Sequence, residues 1–73
     1  MEIEDKGEVR AFDTMPTEGT LYMTAVCYGG NSWMAGPSAM DKAEVVKALG
    51  TWTGATKARI YAVKVPLVAL DAA

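Results

Sequence analysis

Residues 20–35 read TLYMTAVCYGGNSWMA, and this stretch decides the fold. Side chains alternate in character from Thr20 to Tyr28, which indicates a strand with two different faces. The glycine-rich segment 29–31 accepts positive φ angles and predicts a hairpin turn. A short returning strand is predicted at 32–35. The stretch therefore predicts two neighbouring antiparallel strands.

The two faces of the first strand differ in polarity. One face is wholly apolar, and we assign it to the core: Leu21, Met23, Ala25 and Cys27. The other face carries Thr, Tyr and Val side chains, which suit either water or a protein interface. We assign an oligomer or partner interface to this face, at Tyr22, Thr24, Val26 and Tyr28. An ordinary solvent-facing surface is the alternative interpretation.

A helix is predicted after the hairpin. Ser38 has a hydroxyl that can cap the free amides, and Asp41 places a carboxylate in the first turn, where the helix dipole favours negative charge. Gly50 suits the left-handed conformation that ends many helices. One broad apolar stripe runs along the segment, and its members are Ala39, Ala43, Val45, Val46 and Leu49. The pattern indicates an amphipathic helix lying on a sheet.

The flanking segments complete the sheet. Acidic residues that repel one another dominate the N-terminus, so we expect a frayed tip at 1–7. Strands are predicted at 8–13 and at 57–65, the second ending at Pro66 because proline cannot donate to a sheet ladder. Residues 67–70 are predicted to continue as an extended tail.

Together these elements predict a single α+β domain spanning 1–73. In the order β-β-β-α-β they form a small antiparallel or mixed sheet of three to four strands, with one helix packed on one face. One helix cannot cover both faces of such a sheet. The uncovered face is therefore expected to be polar or to meet another chain.

Composition narrows the function. The chain has 73 residues, of which 51% are hydrophobic, and a net charge of −2. A domain this small has a thin core, and its apolar surplus favours a subunit or partner interface. General nucleic-acid binding needs a basic surplus, which this chain lacks. Neither a signal peptide nor an apolar stretch of membrane-spanning length is apparent, so we expect a cytoplasmic protein with no membrane contact.

Catalytic chemistry is not indicated. The chain has no histidine, so the commonest general base and the commonest metal ligand are both missing. Its one cysteine, Cys27, is expected to be a buried structural residue. The usual zinc ligand sets are excluded, and we expect no metal, no cofactor and no catalytic residues.

A second group of residues suggests an anion site. The start of the predicted helix offers backbone amides, a hydroxyl and a lysine inside the apolar stripe, although a lysine stem that snorkels past the core is the alternative explanation. Lys57, Arg59 and Tyr61 share one face of the last strand, where they either bind an anion or form a solvated surface. A tryptophan adds a stacking platform or belongs to the core. The candidate anionic-ligand site consists of Ser38, Lys42, Lys57, Arg59, Tyr61 and Trp33.

Two functions fit these observations. We favour a non-catalytic protein-interaction module, oligomeric with itself, which binds and inhibits a larger protein. Small accessory proteins, including virus-encoded inhibitors of host machinery, have this profile. The alternative is a binder or sponge for an anionic small molecule such as a nucleotide, with the site at a subunit interface because a chain this short has little room for a pocket.

Overall fold

The computed structural model describes residues 1–13 and 17–67. These residues form a four-stranded mixed sheet and one helix, which confirms the predicted α+β fold with the order β-β-β-α-β. The elements are β1 (Glu2–Arg10), β2 (Glu18–Cys27), β3 (Trp33–Ala35), α1 (Lys42–Leu49) and β4 (Lys57–Pro66). Of the predicted C-terminal tail, residues 68–70 lie outside the described part of the chain.

The strands lie in the order β1-β4-β2-β3. Strand β2 pairs antiparallel with both β4 and β3, and the turn between β2 and β3 has positive φ angles at Gly29 (119°) and Gly30 (59°). The predicted hairpin is therefore confirmed. The last strand is also confirmed, and it ends at Pro66 as expected.

The N-terminal segment differs from its prediction. Strand β1 begins at Glu2 and pairs in parallel with β4. The acidic residues of β1 lie beside cations from β4, with Glu2 in register with Lys57 and Glu4 in register with Arg59. Repulsion among the acids, the reason for expecting a frayed tip, is thus offset by charges that are distant in sequence.

A bulge interrupts β1 at Gly7. The register against β4 shifts between Asp5 and Glu8. Gly7 has a φ of 75°, and its amide donates a hydrogen bond to the Asp5 carboxylate over 2.9 Å. A bulge with charged neighbours discourages further strand pairing along this outer edge of the sheet.

The helix starts three residues later than predicted. Asp41, not Ser38, is the N-cap, and its carboxylate accepts a hydrogen bond from the Ala43 amide. The preceding residues are extended, because Ala39 exchanges backbone hydrogen bonds with Tyr22 (2.8 and 3.1 Å). At the other end Gly50 has a φ of −63°, so the predicted left-handed stop is also wrong.

The core lies between α1 and the β2–β4 pair. Its buried cluster consists of Val26, Val45, Leu49, Ala58 and Ile60. By register, Val26 lies beside Ala58 and Thr24 beside Ile60, so the even-numbered face of β2 is the one that α1 covers. The assignment of Leu21, Met23 and Ala25 to the core is therefore wrong. Cys27, at the end of the strand, is buried as predicted.

Candidate interaction surface

The sheet face opposite α1 is left uncovered by the described residues. We call it the open face. By strand register its members are Glu2, Glu4, Val9, Gly19, Leu21, Met23, Ala25, Cys27, Trp33, Ala35, Lys57, Arg59, Tyr61, Val63 and Val65.

One end of the open face is apolar. Val9 lies beside Val63, which lies beside Leu21, and the next row pairs Tyr61 with Met23. Met23 is 43% exposed, and Val9 is equally accessible. Large continuous apolar surfaces are uncommon on monomers and are typical of interaction sites.

The helix side of the sheet is polar at the end that carries Arg10, Glu18, Thr20 and Lys64. Beyond the reach of α1, Arg10 donates two hydrogen bonds to the Glu18 carboxylate (2.7 and 3.1 Å). On the same face Lys64 donates to the Thr20 hydroxyl over 3.0 Å. Water therefore meets ion pairs there, whereas the same rows of the open face carry Leu21 and Val63.

The other end of the open face carries charges of both signs. The Arg59 guanidinium lies 4.2 Å from the centre of the Trp33 ring, a cation–π contact. Its Nε atom is 3.5 Å from a carboxylate oxygen of Glu4. The Lys6 ammonium lies 3.2 Å from the same oxygen. Lys6 first, and Arg59 and Lys57 after it, hold the pKa of Glu4 below its usual value.

The predicted anion-site residues fall on two sides of the sheet. Lys57, Arg59, Tyr61 and Trp33 lie together on the open face, so the expectation that the three β4 residues share a face is confirmed. Ser38 is exposed, and Lys42 reaches the helix side, where its ammonium pairs with the Asp5 carboxylate. Carboxylates of β1 thus accompany both Lys42 and Arg59, and an anionic ligand would have to displace them.

The predicted interface residues of β2 lie on the helix side. Val26 is fully buried, and Thr24 is 7% exposed, with its hydroxyl donating to the Pro37 carbonyl over 2.6 Å. Tyr22 is half-buried against the core, while Tyr28 is exposed and lies near Trp52. Their burial excludes Val26 and Thr24 from a partner surface and follows from docking of α1 on this face of β2, whereas the interface assignment of Tyr22 and Tyr28 stays a prediction.

Sequence reasoning missed the contribution of the apolar strand ends to this surface. The signal was present, since Leu21, Met23 and Ala25 make one apolar face of β2, and Tyr61, Val63 and Val65 alternate in β4. An apolar face was taken to be a core face. The register now places both sets side by side on the sheet face that α1 leaves open.

No pocket is formed by the described residues, and no cluster of acidic or cysteine side chains among them could hold a metal ion. The Cys27 sulfur is buried, and it accepts a hydrogen bond from the Gly29 amide over 3.4 Å. Within the described ranges, no helix combines the length and apolar character needed to cross a membrane.

Comparison with protein-family models, with curated proteins and with solved structures finds no match.

The ion pairs of β1 predict that the protein loses stability in acid. Lys42 first and the Gly7 amide second hold the pKa of Asp5 below its usual value, and Arg10 does the same for Glu18. Because these pKa values are lower in the folded state, the stabilisation is complete above about pH 4.5 and is lost as the pH falls through the folded values. We expect a lower urea midpoint at pH 3 than at pH 7.

The variant Asp5→Asn should flatten this pH dependence, since its amide oxygen can still accept the Gly7 hydrogen bond but carries no charge for Lys42. Asp13→Asn is the matched control, because Asp13 makes no ion pair with any described residue. Equal slopes of midpoint against pH for the two variants would contradict the assignment of the acid response to Asp5.

Proposed function

We propose that the chain is a non-catalytic protein-interaction module whose contact surface is the open face. The observation that carries this proposal is the contrast between the two sheet faces. In the rows of Thr20 and Lys64 the helix side carries the Arg10–Glu18 ion pair and the Lys64–Thr20 hydrogen bond, although Ile3 and Met34 are exposed elsewhere on that side. In the neighbouring rows the open face presents Leu21, Met23, Tyr61 and Val63. Apolar side chains gain about 25 cal/mol per Å² when another protein surface removes them from water.

The arrangement of the charged groups supports a non-catalytic role. Asp5, Glu4 and Glu18 lie beside Lys42, Arg59 and Arg10, respectively. Carboxylates paired in this way are ionised and held in place, which suits stability more than proton transfer. We also propose a cytoplasmic location, where a single buried thiol such as Cys27 stays reduced.

A photoreactive side chain placed at position 23 tests the proposed contact surface. Met23 is 43% exposed on the open face, and Val46 is 42% exposed on α1, so position 46 is a control of equal accessibility. After illumination in cells, we expect a covalent adduct with a polypeptide from position 23 and little or none from position 46. Equal yields at both positions, or no polypeptide adduct at position 23, would refute the open face as the contact surface.

A further inference from the structure

We infer that the partner of the open face is a segment of another protein that carries a carboxylate next to apolar side chains, and that this carboxylate binds Arg59. This inference rests on the proposed function, because it states the chemistry of the partner of that surface. Three features of the charged end support it: the unused hydrogen-bond donors of Arg59, the local excess of positive charge and the residues around the guanidinium.

Arg59 has hydrogen-bond donors that the described residues do not use. Its guanidinium lies 4.2 Å from the centre of the Trp33 ring, which holds the cation in place. Its Nε atom is buried without a hydrogen-bond partner, and the cationic side chains that do donate in the described ranges are Arg10, Lys42 and Lys64. The Arg59 side chain is 38% exposed, so a partner can reach it. A carboxylate suits such a guanidinium, because it accepts two parallel hydrogen bonds from the planar fork.

The Glu4 carboxylate does not fill this role. One of its oxygens lies 3.5 Å from the Arg59 Nε atom, without a hydrogen bond, and 3.2 Å from the Lys6 ammonium. A partner's carboxylate that displaces Glu4 from Arg59 therefore leaves Glu4 paired with Lys6. The exchange costs Glu4 one ionic contact but no hydrogen bond.

The charge of this end favours one carboxylate over a more highly charged anion. Lys6, Lys57 and Arg59 supply three cationic side chains against the two acids Glu2 and Glu4, an excess of one positive charge in a chain of net charge −2. A single carboxylate neutralises this excess, whereas a polyphosphate would bring several negative charges next to both acids. Charge complementarity therefore points to a protein carboxylate and away from a nucleotide.

The neighbours of Arg59 indicate that the carboxylate belongs to a protein segment. Arginine, tyrosine and tryptophan are enriched among the residues that dominate protein–protein binding, and Arg59, Tyr61 and Trp33 share this face. Tyr61 pairs with Met23 in the row next to Arg59, about 7 Å away along the strand. A partner that binds Arg59 can bury apolar side chains on Tyr61 and Met23 at the same time. The expected segment has its acid and its first apolar contact about 7 Å apart, close to one turn of a helix or two residues of a strand.

A library of random dodecapeptides displayed on phage and selected on the purified chain tests this inference. We expect the wild type to enrich peptides that combine Asp or Glu with apolar residues. In isothermal titration calorimetry, a synthetic peptide of the enriched sequence should bind Arg59→Gln about 10- to 100-fold more weakly, the usual loss for a hydrogen bond to a charged group. Arg10→Gln is the matched control, because the Arg10 side chain is 41% exposed but lies on the helix side, and it should bind the peptide as the wild type does. Far-UV circular dichroism checks that both variants are folded.

The variant Glu4→Gln gives a test that loss of folding cannot imitate. Removal of this competing carboxylate should strengthen binding of the same peptide roughly fivefold, because it takes one negative charge away from Arg59. Exchange of the peptide's acid for the corresponding amide should abolish this gain. Met23→Asp should weaken binding, since the apolar contact is lost and a second acid is placed near the partner's carboxylate.

Failure of this inference and failure of the proposed function give different results. Enriched peptides without acids, no enriched peptide at all, or an affinity unchanged in Arg59→Gln would each overturn the carboxylate contact, and an adduct from position 23 would still support the open face as the contact surface. An adduct of twice the chain mass would instead make a second copy the partner. Binding of adenosine triphosphate that is lost in Arg59→Gln, without enriched peptides, would assign Arg59 to a small anion. Absence of any polypeptide adduct from position 23 overturns both proposals.

Discussion

The variant Val26→Asp is expected to unfold the protein, whereas Met23→Asp, three residues earlier on the same strand, is expected to remain folded. Val26 is fully buried on the face of β2 that α1 covers, beside Ala58 of β4. A carboxylate there has no cationic partner, and an uncompensated buried charge costs about 3–5 kcal/mol. A chain of this length has a free energy of unfolding of roughly 4–11 kcal/mol, so the loss is comparable to the whole.

Far-UV circular dichroism and urea unfolding followed by tryptophan fluorescence measure this difference. Met23→Asp should keep a cooperative transition, because a charge at that position is hydrated in the single chain. The pair of variants tests which face of β2 the helix covers. A folded Val26→Asp together with an unfolded Met23→Asp would place α1 on the other face of the sheet.

The second large effect is expected at Gly36, where the chain leaves β3 and crosses close to β2. A Cβ atom on Gly36 would lie 2.7 Å from a methyl group of Val26 and still closer to the Thr24 hydroxyl. Neither neighbour can move freely, since Val26 is in the core and the Thr24 hydroxyl donates to the Pro37 carbonyl. We expect Gly36→Ala to lower the free energy of unfolding by about 1–3 kcal/mol, the usual cost of overpacking.

Gly50→Ala is the matched control for this substitution. Gly50 has a helical φ of −63°, and its added Cβ would meet only the Lys47 carbonyl oxygen, at 3.3 Å. The control should be as stable as the wild type or slightly more so, because alanine restricts the unfolded chain. Equal urea midpoints for Gly36→Ala and the wild type would show that β3 can lift away from β2 without cost.

Local patterns were sufficient for the elements whose signals lie within a few residues. The β2–β3 hairpin followed from alternation and the glycines between the strands, and the end of β4 followed from Pro66. The amphipathic helix was also predicted, although its first residue was misplaced. Ser38 and Asp41 are both good N-caps, and the backbone pairing of Ala39 with Tyr22 decides between them by keeping residue 39 extended.

Contacts between residues distant in sequence determined the ion pairs that β1 makes. The partners of Arg59 and Lys42 are Glu4 and Asp5, more than thirty residues away in the chain. Sequence spacing carries no information about such pairs, because they depend on the parallel placement of β1 beside β4. The same placement turned an acidic segment that was expected to fray into a strand.

By itself, then, the sequence determined that this protein is an α+β domain, and that its single helix leaves one sheet face uncovered. Which face that is was decided only by the tertiary structure. Period-two alternation defines two faces of β2 but not their order of burial, which depends on where α1 docks. The helix α1 can dock over Tyr22, Thr24 and Val26 because the buried Thr24 hydroxyl donates a hydrogen bond to the Pro37 carbonyl. This docking leaves the more apolar face of β2 open.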